Sequence, residues 1–210
     1  MTERLLEKQE HMNERVFNFV SSRYDTGIMG KWLIKVIQKT VDEADVKRNA
    51  SVLDAGAGTG NLLQILENRD KQLRLFGLDI SSEMLSIARK KVKKARFMKL
   101  SVMDVEKKFK KNFFDYIFVV DAFHHFPDHE RIMRQFHTLL KNNGQIIITD
   151  FDFGSVFNYL FHVIEPGNSW IFTKKAMRNL FIESGFSIEK QKKIGLFSVM
   201  TVGIKSRKKK

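Results

Sequence analysis

The fold of this chain is decided by residues 52–60, which read Val-Leu-Asp-Ala-Gly-Ala-Gly-Thr-Gly. An apolar run stops at an acid and then breaks into three glycines at alternate positions. Small residues let the backbone of such a turn approach a ligand that a Cβ atom would push away. Helix-forming residues resume at Asn61, so the turn should open onto a helix N-terminus, whose free N–H groups suit an acidic or carboxylate ligand. The stretch therefore predicts a strand, a glycine loop and a helix at a nucleotide-cofactor site.

The spacing of these glycines does not fit the pyrophosphate-binding pattern of dinucleotide enzymes. That pattern, G-x-G-x-x-G, would need its third glycine where Asn61 stands. Residues 73–79 form a second apolar run, and it ends in Asp79 where the next strand of a βαβ unit should end. A third strand-like stretch, 97–103, is followed by Asp104. We therefore expect three strands that end in acids around one pocket, with Asp79 aimed at a ribose.

With these motifs the chain resembles the class I S-adenosylmethionine-dependent methyltransferases, from about Tyr24 to its end. The matching stretches are 52–60, 78–81, 101–106, 114–128 and 139–149. The resemblance implies a Rossmann-like three-layer α/β sandwich, whose seven-stranded sheet is mostly parallel with an antiparallel last strand. It also implies a single domain over residues 1–210 and S-adenosyl-L-methionine as the cofactor.

The resemblance assigns roles to individual side chains. Asp54 would lie near the ammonium of the cofactor, Asp79 would hold the ribose hydroxyls, and Asp104 would accept from the adenine amine. The candidate cofactor contacts are Tyr24, Asp54, Gly56, Ala57, Gly58, Gly60, Asp79, Ile80, Met84, Met103, Asp104, Val105, Asp121 and Ala122. Carboxylates suit a cofactor that carries a sulfonium and an ammonium but no phosphates. Each acid alone has another interpretation, since Asp at a strand end is also a common turn former and helix cap.

Composition bounds the class of protein. Zero cysteines exclude disulfides, thiolate metal sites and methyl transfer through a cysteine nucleophile. The net charge of +13 favours affinity for phosphates, but residues 207–210 supply four of the positive charges in what we expect to be a frayed tail. No signal peptide is visible, and no run approaches the roughly 20 apolar residues of a membrane span. We therefore expect a cytoplasmic protein, and RNA remains an alternative substrate.

The hydrophobic pattern alternates between helices and strands, which predicts right-handed crossovers and a parallel sheet. The expected helices are 3–20, 31–41, 82–94, 128–141 and 173–184, the last one closed by Gly185. Strands over 186–194 and 197–204 follow each other too closely for a crossover, so they should form a hairpin that makes the last strand antiparallel.

Two segments should cover the site. Residues 1–45 supply N-terminal helices, and residues 151–172 follow the fifth strand with seven aromatic side chains, a candidate lid for an apolar or aromatic small-molecule acceptor. The alternative is that 151–172 merely packs on the sheet. Residues 16–25 also resemble the opening of the quinone-biosynthesis C-methyltransferases, in which a tyrosine-aspartate pair lies near the cofactor. That match thins at Thr26, where the family has an asparagine soon after the pair.

The expected chemistry is an in-line attack of the acceptor on the cofactor methyl, driven mostly by positioning in a dry pocket. His124 and His125 directly follow the fourth strand and are the candidate general bases. They could instead be structural residues at a helix entry. We expect no metal, because no acid cluster is visible beside the histidines. A catalytically silent cofactor-binding partner subunit is a further alternative, and the oligomeric state stays open.

Overall fold

The computed structural model describes residues 3–152, 154 and 170–206, in which helices and strands alternate. The elements are α1 (Glu3–Val20), α2 (Gly27–Ala44), β1 (Ser51–Ala55), α3 (Asn61–Arg69), β2 (Arg74–Asp79), α4 (Ser82–Lys91), β3 (Arg96–Lys99), β4 (Phe114–Val120), α5 (His129–Leu139), β5 (Leu140–Phe151), α6 (Lys174–Glu183), β6 (Phe186–Lys193) and β7 (Ser198–Lys205). Short 3₁₀ helices cover Ser21–Arg23, Val102–Lys107 and Phe123–His125.

The strands form one seven-stranded sheet in the order β3-β2-β1-β4-β5-β7-β6. The first five strands of that order are parallel to one another, and β7 runs antiparallel to both β5 and β6. This confirms the predicted mostly parallel sheet with an antiparallel last strand. The strand order reverses between β1 and β4, so the carboxyl ends of these strands diverge and leave a crevice for a ligand.

Helices cover both faces of the sheet because side chains alternate along each strand. On β1, Val52 packs with α2 and α3 on one face, whereas Leu53 packs with α5 and α6 on the other. Both side chains are fully buried. The predicted three-layer sandwich is confirmed.

The helix ends follow local chemistry. The Ser81 hydroxyl accepts the backbone N–H of Met84 at the start of α4, and Gly185 adopts a φ of 88° just after α6. These are a side-chain N-cap and a left-handed glycine terminus. No helix among the described residues is long and apolar enough to cross a membrane.

Several predicted boundaries are wrong. Helix α2 covers Gly27–Ala44 where 31–41 was predicted, and α4 ends at Lys91 where the prediction extended to residue 94. The third strand ends at Lys99 and not at Met103, because the Ser101 hydroxyl accepts the Met103 N–H and starts a 3₁₀ helix there. The fifth helix ends at Leu139, and β5 begins at Leu140, which pairs with Phe114 of β4.

Candidate cofactor and acceptor site

One cavity opens at the carboxyl ends of β1, β2 and β4, and the space in it, counted together with open solvent at its mouth, is about 910 Å³. The glycine loop after β1 forms one part of its wall. Side chains of α1 and α2 form a second part, which we call the roof.

The glycine loop is held by the backbone of β2. The N–H groups of Gly56 and Ala57 both donate to the Leu78 carbonyl oxygen, each at 2.9 Å. A Cβ atom at Gly56 would lie 2.7 Å from the Ala122 Cβ, so only glycine lets the loop meet the end of β4. A Cβ atom at Gly58 would meet nothing within 4 Å, which leaves space for a ligand.

Gly60 has a different task from the other two glycines. Its φ is 81°, and a Cβ atom there would lie 2.9 Å from the Ala88 Cβ of α4. It is not part of the cavity wall. Gly60 therefore serves close packing of the loop against a helix, whereas the resemblance had assigned it a cofactor contact.

Asp54 lies at the cavity with only 3% of its surface exposed. Burial and, after it, the nearby Asp79 carboxylate raise the pKa of Asp54 to about 8. In the cofactor-free protein this carboxyl is therefore largely protonated at neutral pH. A cationic ligand beside it would favour the charged form.

Asp79 ends β2 and faces the same cavity. Its two carboxylate oxygens accept the N–H groups of Gly58 at 2.8 Å and Ser81 at 2.9 Å. Burial raises the pKa of Asp79, and these backbone donors offset that rise only in part. Ile80 and Met84, two further predicted contacts, also line the cavity.

Met103, Asp104 and Val105, three of the predicted cofactor contacts, are not among the residues that line the cavity. Val105 is fully buried in the core, Asp104 pairs with Lys107 at 2.6 Å, and the Met103 carbonyl accepts from Gln135 at 3.0 Å. The sequence missed that Leu100 and Val102 line the cavity instead; their separation by one residue, as on one face of a strand, was the available signal.

Asp121 and Ala122 line the cavity directly after β4. Asp121 has a φ of 54°, and its N–H donates to the Thr149 carbonyl at 2.9 Å. Tyr24 approaches from the roof. Burial and then the carboxylates of Asp121 and Asp79 raise the pKa of the Tyr24 phenol, so it stays a neutral hydroxyl.

His124 is buried behind the cavity wall in a pair with Asp150. Its Nδ1 lies 2.6 Å from Asp150 Oδ1, and its backbone N–H donates to Oδ2 at 2.9 Å. Burial alone would raise the pKa of Asp150, but the His124 ring and the backbone donors outweigh it and hold that pKa below its usual range. Asp150 is therefore ionised, and His124 donates its Nδ1 proton to it.

The expectation that no acid cluster lies beside the histidines is wrong. Asp121, His124 and Asp150 each offer a ligand atom, and these atoms lie within 4.8 Å of one another. However, Asp150 Oδ1 already accepts from both His124 Nδ1 and the Phe151 N–H, and Oδ2 accepts the His124 N–H. This use of both oxygens favours a structural network over metal ligation.

His125 is the histidine that lines the cavity. Its ring stands perpendicular to Phe17, with the ring centroids 5.0 Å apart, and lies 4.0 Å from the ring of His124. Burial and, after it, the neighbouring His124 lower the pKa of His125 to about 3. The imidazole facing the cavity is therefore neutral at physiological pH.

The roof is fastened to the glycine loop through Asp25. Its Oδ1 accepts from Thr59 Oγ1 at 2.8 Å and Asn61 Nδ2 at 2.7 Å, and Lys91 pairs with Oδ2. Burial would raise the pKa of Asp25, but these donors hold it below its usual range. The link between α1 and α2 is thereby tied to the start of α3.

Helix α1 contributes cavity residues that the sequence reasoning did not name. Asn13 and Phe17 line the cavity, and Asn13 Nδ2 donates to the His125 carbonyl at 3.1 Å. The Ser81 hydroxyl donates to Asn18 Oδ1 at 2.6 Å. The available signal was a buried polar residue, Asn13, on the inward face of an amphipathic helix.

The candidate lid over 151–172 lies largely outside the described residues, which omit 153 and 155–169. Of its described members, Phe151 stacks on Trp32 with ring centroids 5.6 Å apart, and Phe172 packs against Phe123 and His129. The Trp170 N–H donates to the His124 carbonyl at 2.9 Å. None of the described members lines the cavity.

The sheet order, the glycine loop and the acid-lined cavity together define the class I methyltransferase fold. A family model described as a methyltransferase domain matches residues 53–148. The chain is 30% identical over 143 residues to a demethylmenaquinone methyltransferase of Thermotoga maritima, an alignment that covers 65% of this chain and 60% of that protein. The fold, the domain match and these relatives support a class I S-adenosylmethionine-dependent methyltransferase whose cofactor is S-adenosylmethionine.

Solved structures share the fold at low identity. A protein described as a methyltransferase, in complex with the Haloferax volcanii Trm112 methyltransferase activator, has a TM-score of 0.79 and 18% identity, covering 91% of this chain and 98% of its own. Magnesium protoporphyrin IX methyltransferase from Synechocystis, with bound S-adenosylhomocysteine, has a TM-score of 0.72 and 19% identity, covering 94% and 100%.

Proposed function

We propose that the chain transfers the methyl group of S-adenosylmethionine to a small apolar or aromatic acceptor. The observation that carries this proposal is the mixed wall of the cavity. Besides the acids of the glycine-loop side, the wall contains Phe17, Leu33, Ile37, Val120 and Phe126. Such an apolar lining with few polar groups suits an apolar ligand. The names of two similar proteins, which act on demethylmenaquinone and magnesium protoporphyrin IX, support a ring compound.

In this proposal the acids hold the cofactor. Asp79 accepts from the ribose hydroxyls, and Asp54 ionises beside the cofactor ammonium. Gly56, Ala57 and Gly58 give the amino-acid part a close approach to the backbone, which the open space at Gly58 supports. Ile80 and Met84 pack beside the adenine, while Tyr24, Asp121 and Ala122 contact the amino-acid part.

The reaction that we propose is a direct displacement. The acceptor atom forms a bond to the methyl carbon as the carbon–sulfur bond breaks, and the electron pair of the broken bond stays on the sulfur of S-adenosylhomocysteine. A proton that the acceptor loses passes to bulk water after the transfer. The chain contributes by holding both molecules in line and excluding water. His125 faces the reacting space, but its lowered pKa makes it a weak base. We therefore propose that His125 positions the acceptor and that His124, with Asp150, positions His125.

The test is to incubate the protein with methyl-labelled S-adenosylmethionine and an extract of its source cells. Label should appear in an organic-soluble or small aqueous product, together with S-adenosylhomocysteine. Label in RNA would replace this proposal with an RNA methyltransferase. Cofactor binding without any label would favour a silent partner subunit.

A cytoplasmic location belongs to the same proposal. Localisation of a tagged chain in fractionated cells tests it, and recovery with secreted proteins would contradict it.

A further inference from the structure

The segment that roofs the cavity, residues 3–44, also exposes apolar side chains on its outer side. Phe19 and Ile28 are each 88% exposed, and Met29 is 69% exposed. Among the described residues, eleven large apolar side chains are exposed, and seven of them belong to this segment. Those seven are Leu5, Met12, Val16, Phe19, Ile28, Met29 and Ile34.

The exposed side chains of α1 form a stripe. At 3.6 residues per turn, Leu5, Met12, Val16 and Phe19 fall within an arc of about 60° on the helix. The next arc, of about 40°, holds three exposed cations. These are Arg4, Lys8 and Arg15.

Glu7, Glu10 and Glu14 lie outside the arcs of the apolar stripe and the cations, and the last two contact the body of the protein, whereas Glu7 is exposed. Glu14 pairs with Lys99 at 2.7 Å, and Glu10 accepts from the Ser101 hydroxyl. In a water-exposed helix without a partner, charges of both signs would commonly intersperse as stabilising pairs along the helix. In α1 the acids and the cations instead lie on different sides of the helix.

The same sorting holds for the rest of the segment. Its acids Asp25, Asp42 and Glu43 form ion pairs with Lys91, Arg69 and Lys192 of the body. Within the part of the chain that the structure describes, its cations make no side-chain ion pair. They are Arg4, Lys8, Arg15, Arg23, Lys31, Lys35 and Lys39.

We propose that the outer side of α1 and the first turns of α2 dock on the surface of an anionic phospholipid bilayer. A helix with an apolar stripe beside lysines and arginines lies in the interface, with its apolar side chains among the acyl chains and its cations at the headgroups. Folded RNA would use the cations but leave the apolar stripe in water. A protein partner would need no anionic lipid.

This docking would place the cavity roof at the bilayer, since Phe17, Tyr24 and Leu33 of the same segment line the cavity. An apolar acceptor could then enter from the lipid. That last step rests on the proposed function, whereas the docking itself does not require an acceptor.

The test is co-flotation of the full chain with two kinds of vesicle, one of phosphatidylcholine alone and one with about one-third phosphatidylglycerol. The wild-type chain should float with the anionic vesicles and be released as salt rises. Phe19→Ser with Ile28→Ser should reduce the bound fraction about tenfold or more, because two apolar side chains no longer enter the interface. Lys8→Gln with Arg15→Gln should reduce it several-fold.

Matched controls make the same chemical changes elsewhere. Leu196→Ser with Ile182→Ser replaces side chains that are 72% and 52% exposed outside the segment. Lys110→Gln with Lys111→Gln removes two exposed charges near β4. Both controls should bind the anionic vesicles within twofold of the wild type, and circular dichroism checks that every variant is folded.

Absence of flotation with either vesicle would overturn the proposal. Equal losses of vesicle binding in the segment variants and their controls would also overturn it, since they would indicate nonspecific binding through the whole surface. Methyl transfer to a dissolved acceptor is measured separately without vesicles. A chain that methylates but does not float would therefore disprove the docking and leave the proposed function intact.

Discussion

The glycine-loop side of the cavity and its roof are built in different ways. The glycine loop is held by backbone hydrogen bonds, since Gly56 and Ala57 both donate to the Leu78 carbonyl within the sheet. The roof is held mainly by side-chain hydrogen bonds. Asp25 accepts from Thr59 and Asn61, and Asn13 donates to the His125 carbonyl. The loop therefore keeps its form as long as the sheet does, whereas a single side-chain change can release the roof.

The largest expected effect is on the glycine-loop side. Asp79→Ala should weaken S-adenosylmethionine binding by about 1.5–3 kcal/mol, the scale of a hydrogen bond to a charged group. Isothermal titration calorimetry measures this. Unchanged affinity would remove Asp79 from the ribose site.

Asp104→Ala is the matched control for that measurement. It removes the same group from a residue that pairs with Lys107 outside the cavity, so the cofactor affinity should stay the same. A loss as large as that of Asp79→Ala would indicate that Asp104 contacts the adenine, as predicted from the sequence. It would contradict the position of Asp104 outside the cavity.

The pH dependence of cofactor binding should be the next largest effect. Asp54 has a pKa of about 8 in the empty cavity, so binding of the cationic cofactor must release its proton below that pH. The affinity should therefore fall about tenfold per unit as the pH drops below about 7. The affinity should not increase further above pH 8, because the cofactor's own amino group loses its proton there.

Asp54→Asn checks the assignment of this slope. The affinity should be lower overall and almost independent of pH below 7. The stability of the cofactor-free protein provides an independent check. Because folding raises the pKa of Asp54, the contribution of this carboxyl to the free energy of unfolding falls as the pH rises towards about 8. The cofactor-free Asn variant should therefore melt above the wild type at pH 8.5 and close to it at pH 4. A wild-type slope that persists in the variant would assign the proton to another group.

A smaller effect is expected at the roof. Asp25→Ala should lower cofactor affinity about tenfold and raise hydrogen exchange in α1 and α2, because two neutral donors and Lys91 lose a common acceptor. Exchange in β1 and β4 should not change. Asp42→Ala, which breaks an exposed pair with Arg69 and an exposed hydrogen bond from Gln38, is the control. Equal exchange in both variants would contradict the fastening role of Asp25.

The smallest effect is expected at His125. Because its lowered pKa leaves it a weak base, His125→Asn should change kcat by less than about tenfold and leave the pH profile near neutrality unaltered. Steady-state kinetics with a saturating acceptor measures this. A loss of a hundredfold or more would make His125 the general base.

The sequence predicted the sheet side of the molecule well because that side follows local rules. The apolar run, Asp54 and the alternating glycines give strand, turn and helix without reference to distant residues, and the short hairpin makes β7 antiparallel. The 3₁₀ helix after β3 was missed, since it depends on the Ser101 cap that competes with extension of the strand.

The roof was harder to predict because its contacts span long stretches of chain. Asn13 reaches the carbonyl of His125, more than a hundred residues away. The pairing of His124 with Asp150 likewise joins the ends of neighbouring strands, β4 and β5. Periodicity identified the faces of these elements but carried no information about which side chains meet.

The most direct test of the cofactor site is a crystal structure of the chain with S-adenosylhomocysteine. We expect the ribose hydroxyls at hydrogen-bond distance from Asp79, the amino group beside Asp54, and the sulfur facing the apolar residues Phe17 and Phe126. A ligand bound elsewhere, or in this cavity with its ribose away from Asp79, would contradict the central claim that this cavity orients the cofactor for methyl transfer.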